Sequence, residues 1–225
     1  MGDFRDPAVA ENWHASQLAH RARGRQLDLL IDLLVVLAPA RVVDVGVGSG
    51  LVAERVLERL PTLSLVGIDF STVMLAEAHT RLSSWKDRVD LVEGDVGHPE
   101  SIGALDNRAF DVAITVQTLH NIDHEGQQRA LAWTHGLLAP GAVFLSLDKV
   151  SITRPLYDLY VRLGPSSTLG DFPESFDDYE KRETSAGEHS PPLEAYLDWL
   201  RQAGFEAGVL DVEANYALVA ARARA

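Results

Sequence analysis

A glycine-rich turn, Gly46-Val47-Gly48-Ser49-Gly50, follows the apolar run Val42 to Val45 and precedes a helical pattern. Glycines in such a turn adopt backbone conformations that are costly for other residues, and they let backbone N–H groups approach a ligand. A dinucleotide site prefers Gly-x-Gly-x-x-Gly, and Leu51 stands where its last glycine belongs. Asp44, in the strand before the turn, suits a ligand that carries an ammonium group. The turn indicates a cofactor site without naming the cofactor.

Two further acids follow the next predicted strands. Asp69 ends the run Gly67-Ile68-Asp69 and Asp95 follows Glu93-Gly94. In a parallel sheet both lie at the carboxyl edge, where ligands of open α/β folds bind. A carboxylate at the tip of the second strand can accept hydrogen bonds from both ribose hydroxyls. The other reading of Asp69 is a helix N-cap, although Ser71 already offers one.

The elements that must position these residues alternate short β-branched runs with helical periods, the pattern of a parallel sheet covered on both faces. The predicted strands are Arg41–Val45, Ser64–Ile68, Arg88–Val92, Phe110–Thr115, Ala142–Leu147, Phe205–Val212 and Tyr216–Ala221. The predicted helices are Pro7–Leu37, Leu51–Leu60, Thr72–Leu82, Ser101–Leu105, Glu125–Leu138 and one opened by Ser190 and Pro191 that ends at Ala203. Only Glu213 to Asn215 separate the last two strands, so these form an antiparallel hairpin. The fold class is α/β, a doubly wound seven-stranded sheet that is mostly parallel.

Asp44, the glycine turn, Asp69, Asp95 and the terminal hairpin, taken in order, resemble the class I S-adenosylmethionine-dependent methyltransferases over essentially the whole chain. The resemblance implies a Rossmann-like methyltransferase fold and a single domain over residues 1–225, with N-terminal helices in 1–40 and a lid insertion in 151–190. It implies S-adenosylmethionine as the cofactor and methyl transfer as the activity.

The resemblance also assigns contacts to the cofactor. The turn Gly46–Gly50 would approach its methionine end, and Asp69, with the adjacent Phe70, would meet the ribose. Asp95 would meet the adenine amino group and Val96 the adenine ring.

The segment from Phe110 to Asp123 is similar to the family's fourth-strand segment, which often carries two histidines near its end. Here the second is Asn121. By this similarity Thr115 and Val116 would lie close to the sulfonium, and Gln117 would face the acceptor.

His120 and Arg21 each have two readings. His120 follows the fourth strand and is the candidate general base, since histidine changes charge near neutral pH; its other reading is a capping or packing residue. Arg21 could pair with the cofactor carboxylate. It could equally belong to a solvated basic cluster with Arg23 and Arg25.

Residues 151–190 mix Pro, Gly, Ser and acids with aromatics and show no dominant period. A long loop of this kind is usually functional, so a lid is expected, with Tyr157 and Tyr160 as acceptor contacts. An Ω-loop that packs on itself is the other reading. Lys181-Arg182 is locally similar to carboxy-S-adenosylmethionine synthase. Arg182 could bind a carboxylated cofactor or an acidic substrate, or balance Glu180 and Glu183. The aromatics could equally seal a homodimer.

The composition narrows the partners. The chain has 225 residues, a formal charge of −13 and no cysteine. The acidic balance opposes nucleic acid and anionic membranes, and the lack of cysteine excludes disulfides, thiolate metal sites and thiol nucleophiles. The longest apolar stretch is too short to cross a bilayer. We therefore expect a cytoplasmic protein with no metal site and a small-molecule acceptor, and the resemblance implies that it methylates that acceptor. An NAD(P)-dependent oxidoreductase, a carboxy-S-adenosylmethionine-related enzyme and a non-catalytic cofactor-binding regulator remain alternatives.

Overall fold

The computed structural model describes residues 21–103, 105, 110–163 and 175–224, with the side chains of 21–23 and 163 left out. The predicted helical region from Pro7 therefore lies outside the described residues up to position 20. From Arg21 onward it is helical, as predicted.

The described strands form one seven-stranded sheet in the order β3-β2-β1-β4-β5-β7-β6. Strands β1 to β5 pair in parallel, whereas β7 runs antiparallel to both β5 and β6. The predicted fold class and the terminal hairpin are thus confirmed. The bounds are β1 Arg41–Val45, β2 Ser64–Asp69, β3 Val89–Glu93, β4 Phe110–Val116, β5 Leu138–Lys149, β6 Phe205–Glu213 and β7 Tyr216–Ala223.

Helices cover both faces of this sheet. Ser71 and Asp123 act as N-caps, accepting hydrogen bonds from Met74 N at 3.2 Å and Gly126 N at 2.7 Å, so each helix begins where a polar side chain can satisfy a free N–H. Ser71 is the cap that the sequence offered. The bounds are α1 Arg21–Leu37, α2 Leu51–Arg59, α3 Thr72–Arg81, α4 His124–Leu137, α5 Arg154–Leu163, α6 Phe176–Ser185 and α7 Leu193–Gln202.

Alternation along the strands divides the core into two layers. In β1, Val43 and Val45 belong to the layer that receives α4 and α7, and Val42 belongs to the layer that receives α1, α2 and α3. Successive side chains of a strand point to opposite faces, so a strand buried on both faces must be apolar throughout. Asp44 is the polar exception in β1, and this makes it a candidate for function.

Three local predictions were wrong. Ser101–Leu105 is not a helix: Pro99–Ser101 forms a single 3-10 turn, since Pro99 and Gly103 bracket a stretch too short to propagate. Strand β5 begins at Leu138 rather than Ala142, with Gly141 at φ 81° inside it. The described residues of the lid form two helices, α5 and α6, where no periodic run was recognised.

The carboxyl ends of the strands meet at one edge. Val45 pairs with Ile68, and Asp69 with Glu93, so the tips of β1, β2 and β3 are level. Tyr216 pairs with Lys149, which brings the tip of the β6–β7 hairpin to the same edge. None of the described helices is long and apolar enough to span a membrane.

Candidate functional site

The glycine turn between β1 and α2 is held by the sheet itself. Gly46 N and Val47 N both donate to Ile68 O at 2.9 Å, and Gly50 N donates to Val47 O at 3.0 Å. Gly46, Gly48 and Gly50 have φ values of 87°, 53° and 81°, a region that penalises residues with a Cβ. The turn is therefore preformed, as a site for a bound cofactor should be.

Gly46 has a second reason to lack a side chain. A Cβ placed there would lie 2.1 Å from Thr118 Oγ1. Thr118 Oγ1 donates to Gly46 O at 3.3 Å, so the residues after β4 pack directly against the turn after β1. By contrast, a Cβ on Gly48 would have its nearest neighbour, Met74 Cε, at 3.5 Å.

Asp44 lies beneath this turn with 2% of its surface exposed. Its Oδ2 atom is buried and has no hydrogen-bond partner. Burial, and secondarily the charge of Asp69, raises the pKa of Asp44 from 3.8 to about 7. Because nearly all buried polar atoms are paired, an unpartnered carboxylate oxygen calls for an explanation. A cationic group of a ligand would supply one.

Asp69 holds the turn from the tip of β2. Its Oδ2 accepts from Gly48 N and its Oδ1 from Ser71 N, both at 2.9 Å. Burial raises the pKa of Asp69, although hydrogen bonds from the N–H groups of Ser71, Gly48 and Phe70 oppose the increase. Each carboxylate oxygen has two lone pairs, so both can still accept from hydroxyl groups. Only 9% of Asp69 is exposed, because its carboxylate bonds to the glycine turn.

Phe70, Asp95 and Val96 differ in accessibility. Phe70 is 39% exposed beside Asp69. Asp95 is half-buried; its Oδ1 accepts from Gly97 N at 2.9 Å and its Oδ2 lies 3.2 Å from His98 Nδ1. Val96 packs into the core layer that also contains Val45 and Ile68. Asp95 and Phe70 are open to a ligand, and the contact of Val96 with an adenine ring stays a prediction.

The end of β4 joins the turn from the other side. Thr115 is fully buried and its Oγ1 donates to Val45 O at 2.8 Å. Val116 is half-buried, and Gln117 follows with φ 57° and donates its N–H to Leu147 O at 2.9 Å. A non-glycine residue at positive φ is uncommon and is characteristic of functional turns. The chain reverses sharply where the acceptor side is predicted.

His120 is 3% exposed, and its Nδ1 lies 2.5 Å from Asp148 Oδ1. Both line a small, partly enclosed cavity of about 10 Å³, which holds one water at most. Asp148 holds the turn after β4 from the end of β5. Its contacts with the turn after β4 bridge some thirty residues, and no local pattern announces them.

The lid aromatics pack mainly on one another. Tyr157 is buried, with its ring centroid 5.4 Å from that of Phe176 and 5.3 Å from that of Tyr179. The hydroxyl of Tyr160 accepts from Ala214 N, at the hairpin tip, at 3.2 Å. Tyr157 is only 1% exposed, and its contact with an acceptor stays a prediction. The described part of the lid packs largely on itself, as in the alternative reading.

An ionic cluster ties the lid to the sheet, and sequence reasoning missed it. Lys149 Nζ bonds Glu188 and lies 3.7 Å from Glu183 Oε2. Arg182 is 51% exposed at its side chain, 3.8 Å from Glu183 Oε1, with its guanidinium over the Tyr179 ring at 5.8 Å. This placement matches charge balance on a helix face better than a cofactor or substrate contact.

Arg21 opens α1, and its side chain lies outside the described residues. One turn later, Arg25 Nη2 donates to Asp211 at 2.7 Å, near the hairpin tip. The beginning of α1 therefore lies at the carboxyl edge, and the cofactor contact of Arg21 stays a prediction.

Comparisons with known proteins agree with this geometry. Residues 42–141 match the model of a family described as a methyltransferase domain. An uncharacterized methyltransferase of Mycobacterium tuberculosis is 35% identical over 51% of this chain and 53% of its own length. A trans-aconitate 2-methyltransferase of Streptomyces avermitilis is 29% identical over 73% of this chain and 61% of its own length. The chain thus spans about half to three fifths of these relatives.

Solved structures share the fold. An O-methyltransferase family protein of Burkholderia thailandensis superposes with a TM-score of 0.73 at 18% identity, covering 99% of this chain and 62% of its own. The cyclase SpnF superposes with a TM-score of 0.62 at 21% identity, covering 88% of this chain and 80% of its own. Identities this low show the fold alone, and a cyclase among the neighbours illustrates that one fold hosts several reactions.

The residues present fit the cofactor of this family. Asp44 offers an unpartnered buried carboxylate oxygen, and a Cβ on Gly48 would have no neighbour closer than 3.5 Å. The fold, the domain matched over residues 42–141 and this donor set agree in one respect: the chain is similar to the class I S-adenosylmethionine-dependent methyltransferases.

Proposed function

We propose that this protein binds S-adenosylmethionine and transfers its methyl group to a small-molecule acceptor. The observation that carries the proposal is Asp44, a buried carboxylate with an unpartnered oxygen beneath the glycine turn. Burying an unpaired charge is costly, and the cost is offset when a cation binds. An amino-acid ammonium group next to a nucleoside is the ligand chemistry that this position and the matched domain favour.

The residues of the chain have distinct roles in this proposal. Asp44 would attract the ammonium group, Asp69 would accept from the ribose hydroxyls, and Asp95 would accept from the adenine amino group. When bound, the cofactor supplies a methyl group already activated by the sulfonium. The protein's task is to align the acceptor and exclude water, so no side chain need become covalent. Gln117, on the turn after β4, is our candidate for the acceptor contact.

Two arguments support a small acceptor. The net charge of −13 opposes a nucleic acid backbone. The relatives named trans-aconitate 2-methyltransferases take a small molecule as acceptor, by their name. Neither argument identifies the atom that receives the methyl group. A homodimer through the lid stays a prediction.

Calorimetric titration with S-adenosylhomocysteine, NAD and NADP tests the cofactor. We expect micromolar binding of S-adenosylhomocysteine alone. Asp69→Ala should abolish it, and Asp90→Ala, which removes an exposed carboxylate on β3, should leave it unchanged. Circular dichroism checks that both variants fold. Binding of NAD or NADP instead would favour the oxidoreductase alternative, which the Leu51 position opposes.

Turnover separates an enzyme from a cofactor-binding regulator. Incubation with S-adenosylmethionine and a panel of small acids, phenols and amines should release S-adenosylhomocysteine with at least one acceptor. Binding without turnover across such a panel would favour the regulator.

A further inference from the structure

Asp148, the penultimate residue of β5, accepts four hydrogen bonds while only 5% exposed. Its Oδ2 accepts from Thr118 N at 3.1 Å and Leu119 N at 2.6 Å. Its Oδ1 accepts from Lys149 N at 2.7 Å and faces His120 Nδ1 at 2.5 Å. Three of the four donors belong to the turn after β4. One carboxylate thus fixes the shape of that turn.

Asp148 is also linked, through Thr118, to the glycine turn Gly46–Gly50, which is called the cofactor turn from here on. The N–H of Thr118 donates to Asp148. The Oγ1 of Thr118 donates to Gly46 O and fills the space that a Cβ on Gly46 would need. Contacts this close leave little room for independent movement. A change in the position of Thr118 therefore changes the position of Gly46.

His120 is built as a partner of Asp148 rather than as a group that meets an acceptor. The imidazole is 3% exposed beside a cavity of about 10 Å³. Its backbone carbonyl accepts from His189 N at 2.7 Å, which places the end of the lid over it. The Nδ1 atom of His120 is thus engaged by Asp148, and the imidazole has little contact with solvent.

We infer that Asp148 is a positioning residue for the cofactor turn, acting through Thr118 on Gly46, and that His120 is its buried partner and not the general base. The inference rests on the proposed function for its cofactor-binding readout. The effect of Asp148 on the turn after β4 is independent of that function.

The first test is Asp148→Asn, because an amide can accept from only one of the two pairs of donors. We expect the affinity for S-adenosylhomocysteine to fall about tenfold, the effect of losing one hydrogen bond to a charged group. In the ligand-free protein, the amides of Thr118 and Leu119 should exchange with deuterium faster. Asp90→Asn is the matched control and should change neither quantity.

Two further variants separate positioning from general instability. Thr118→Val removes the hydroxyl donor to Gly46 and keeps the side-chain shape, so the affinity should fall even if Asp148→Asn fails to fold. Val219→Ala removes buried methyl groups from the middle of β7 and should lower stability without changing the affinity. An equal loss of affinity in Val219→Ala and Thr118→Val would overturn the inference.

The role of His120 is tested with two amides. The amide nitrogen of Asn can occupy the place of His Nδ1, whereas that of Gln can occupy the place of Nε2. We expect His120→Asn to keep most of the affinity for S-adenosylhomocysteine and His120→Gln to lose it about tenfold. A general base predicts unchanged affinity in both variants, and that result would overturn the role given to His120.

The two proposals fail differently. If the wild-type protein does not bind S-adenosylhomocysteine, the proposed function fails. Amide exchange in Asp148→Asn then still tests whether Asp148 holds the turn after β4. If the wild type binds and Asp148→Asn binds equally well, the positioning role fails and the proposed function stands.

Discussion

The cofactor region and the lid differ in how their polar groups are arranged. The cofactor region is built from residues at successive strand tips, and it leaves a buried oxygen of Asp44 without a partner. The lid is built from segments distant in the chain, and several of its polar groups bond to the sheet, as in Lys149 with Glu188 and Tyr160 with Ala214, although Glu183 Oε2 and Ser190 Oγ are buried without a hydrogen-bond partner. The cofactor region keeps a buried carboxylate oxygen available to a ligand, whereas the described part of the lid is held by contacts within the protein.

This difference distinguishes the residues expected to bind a ligand from the residues that hold the lid on the sheet. A group that stays unsatisfied in the folded chain indicates where a ligand contributes, whereas a satisfied network indicates what stabilises the fold. Substitutions in the cofactor region should therefore change affinity strongly, and substitutions in the lid should change stability first.

The largest effect is expected at the glycine turn. Gly46→Ala places a Cβ 2.1 Å from Thr118 at a backbone φ of 87° and should cost roughly 2–5 kcal/mol of folding free energy. Gly48→Ala has a similar φ problem but open space, and should cost about 1–2 kcal/mol. Urea denaturation measures both. Equal costs would show that close packing against Thr118 is unimportant.

Asp44→Asn should lower the protein's affinity for S-adenosylhomocysteine and raise its folding stability. The pKa of Asp44 is raised from 3.8 to about 7, so the folded state retains a proton that the unfolded state loses, and wild-type stability falls as pH rises between these values. Above pH 7 the variant should be more stable by roughly 2–4 kcal/mol. Affinity for S-adenosylhomocysteine should fall at least tenfold.

Thermal unfolding of wild type and Asp44→Asn at pH 4 and pH 8, together with calorimetry, checks this opposition. A variant less stable than wild type at pH 8 would mean that Asp44 has a stabilising partner in the folded protein, against the comparison drawn above.

A smaller effect is expected in the lid. Burial, together with the neighbouring Glu188, raises the pKa of Glu183 from 4.5 to about 7, although Lys149 and Arg182 oppose the increase. Stability should therefore fall as pH rises from 4.5 to 7, by about 1 kcal/mol after allowance for solvent. Glu183→Gln should reduce the loss of stability by this amount and leave the larger contribution of Asp44, whereas Glu180→Gln, on the exposed side of α6, should not change it. Unfolding at pH 5 and pH 8 distinguishes them.

The smallest effect is expected for Tyr160→Phe. It removes the acceptor for Ala214 N and should cost about 0.5–1.5 kcal/mol, with no change in the affinity for S-adenosylhomocysteine. Denaturation and calorimetry on the same sample measure both quantities. A loss of affinity at constant stability would place Tyr160 among the binding residues instead.

Much of the fold could be predicted from sequence because it depends on local signals. The apolar runs located all seven strands, and Glu213 to Asn215 fixed the antiparallel hairpin. Asp44, Asp69 and the glycines were found because their roles follow from adjacent residues at strand tips.

The remainder depends on contacts between distant segments. Asp148 on β5 contacts His120 after β4, and Lys149 on β5 contacts Glu183 on α6. No spacing along the chain predicts either contact. The two lid helices were missed because Arg154–Leu163 and Phe176–Ser185 are short and lie among turn-forming residues. Such helices form because aromatic side chains pack between them, a tertiary effect that periodicity does not report.

In the proposed function, the buried carboxylate of Asp44 also couples cofactor binding to the release of a proton. With a pKa of about 7, the empty site is partly protonated at neutral pH, and an incoming ammonium group favours the ionised form. Each binding event then releases a fraction of a proton to the solvent, so the heat of binding should depend on the ionisation enthalpy of the buffer. Acidification competes with the cofactor for the same carboxylate, and occupancy of the site follows pH across the neutral range.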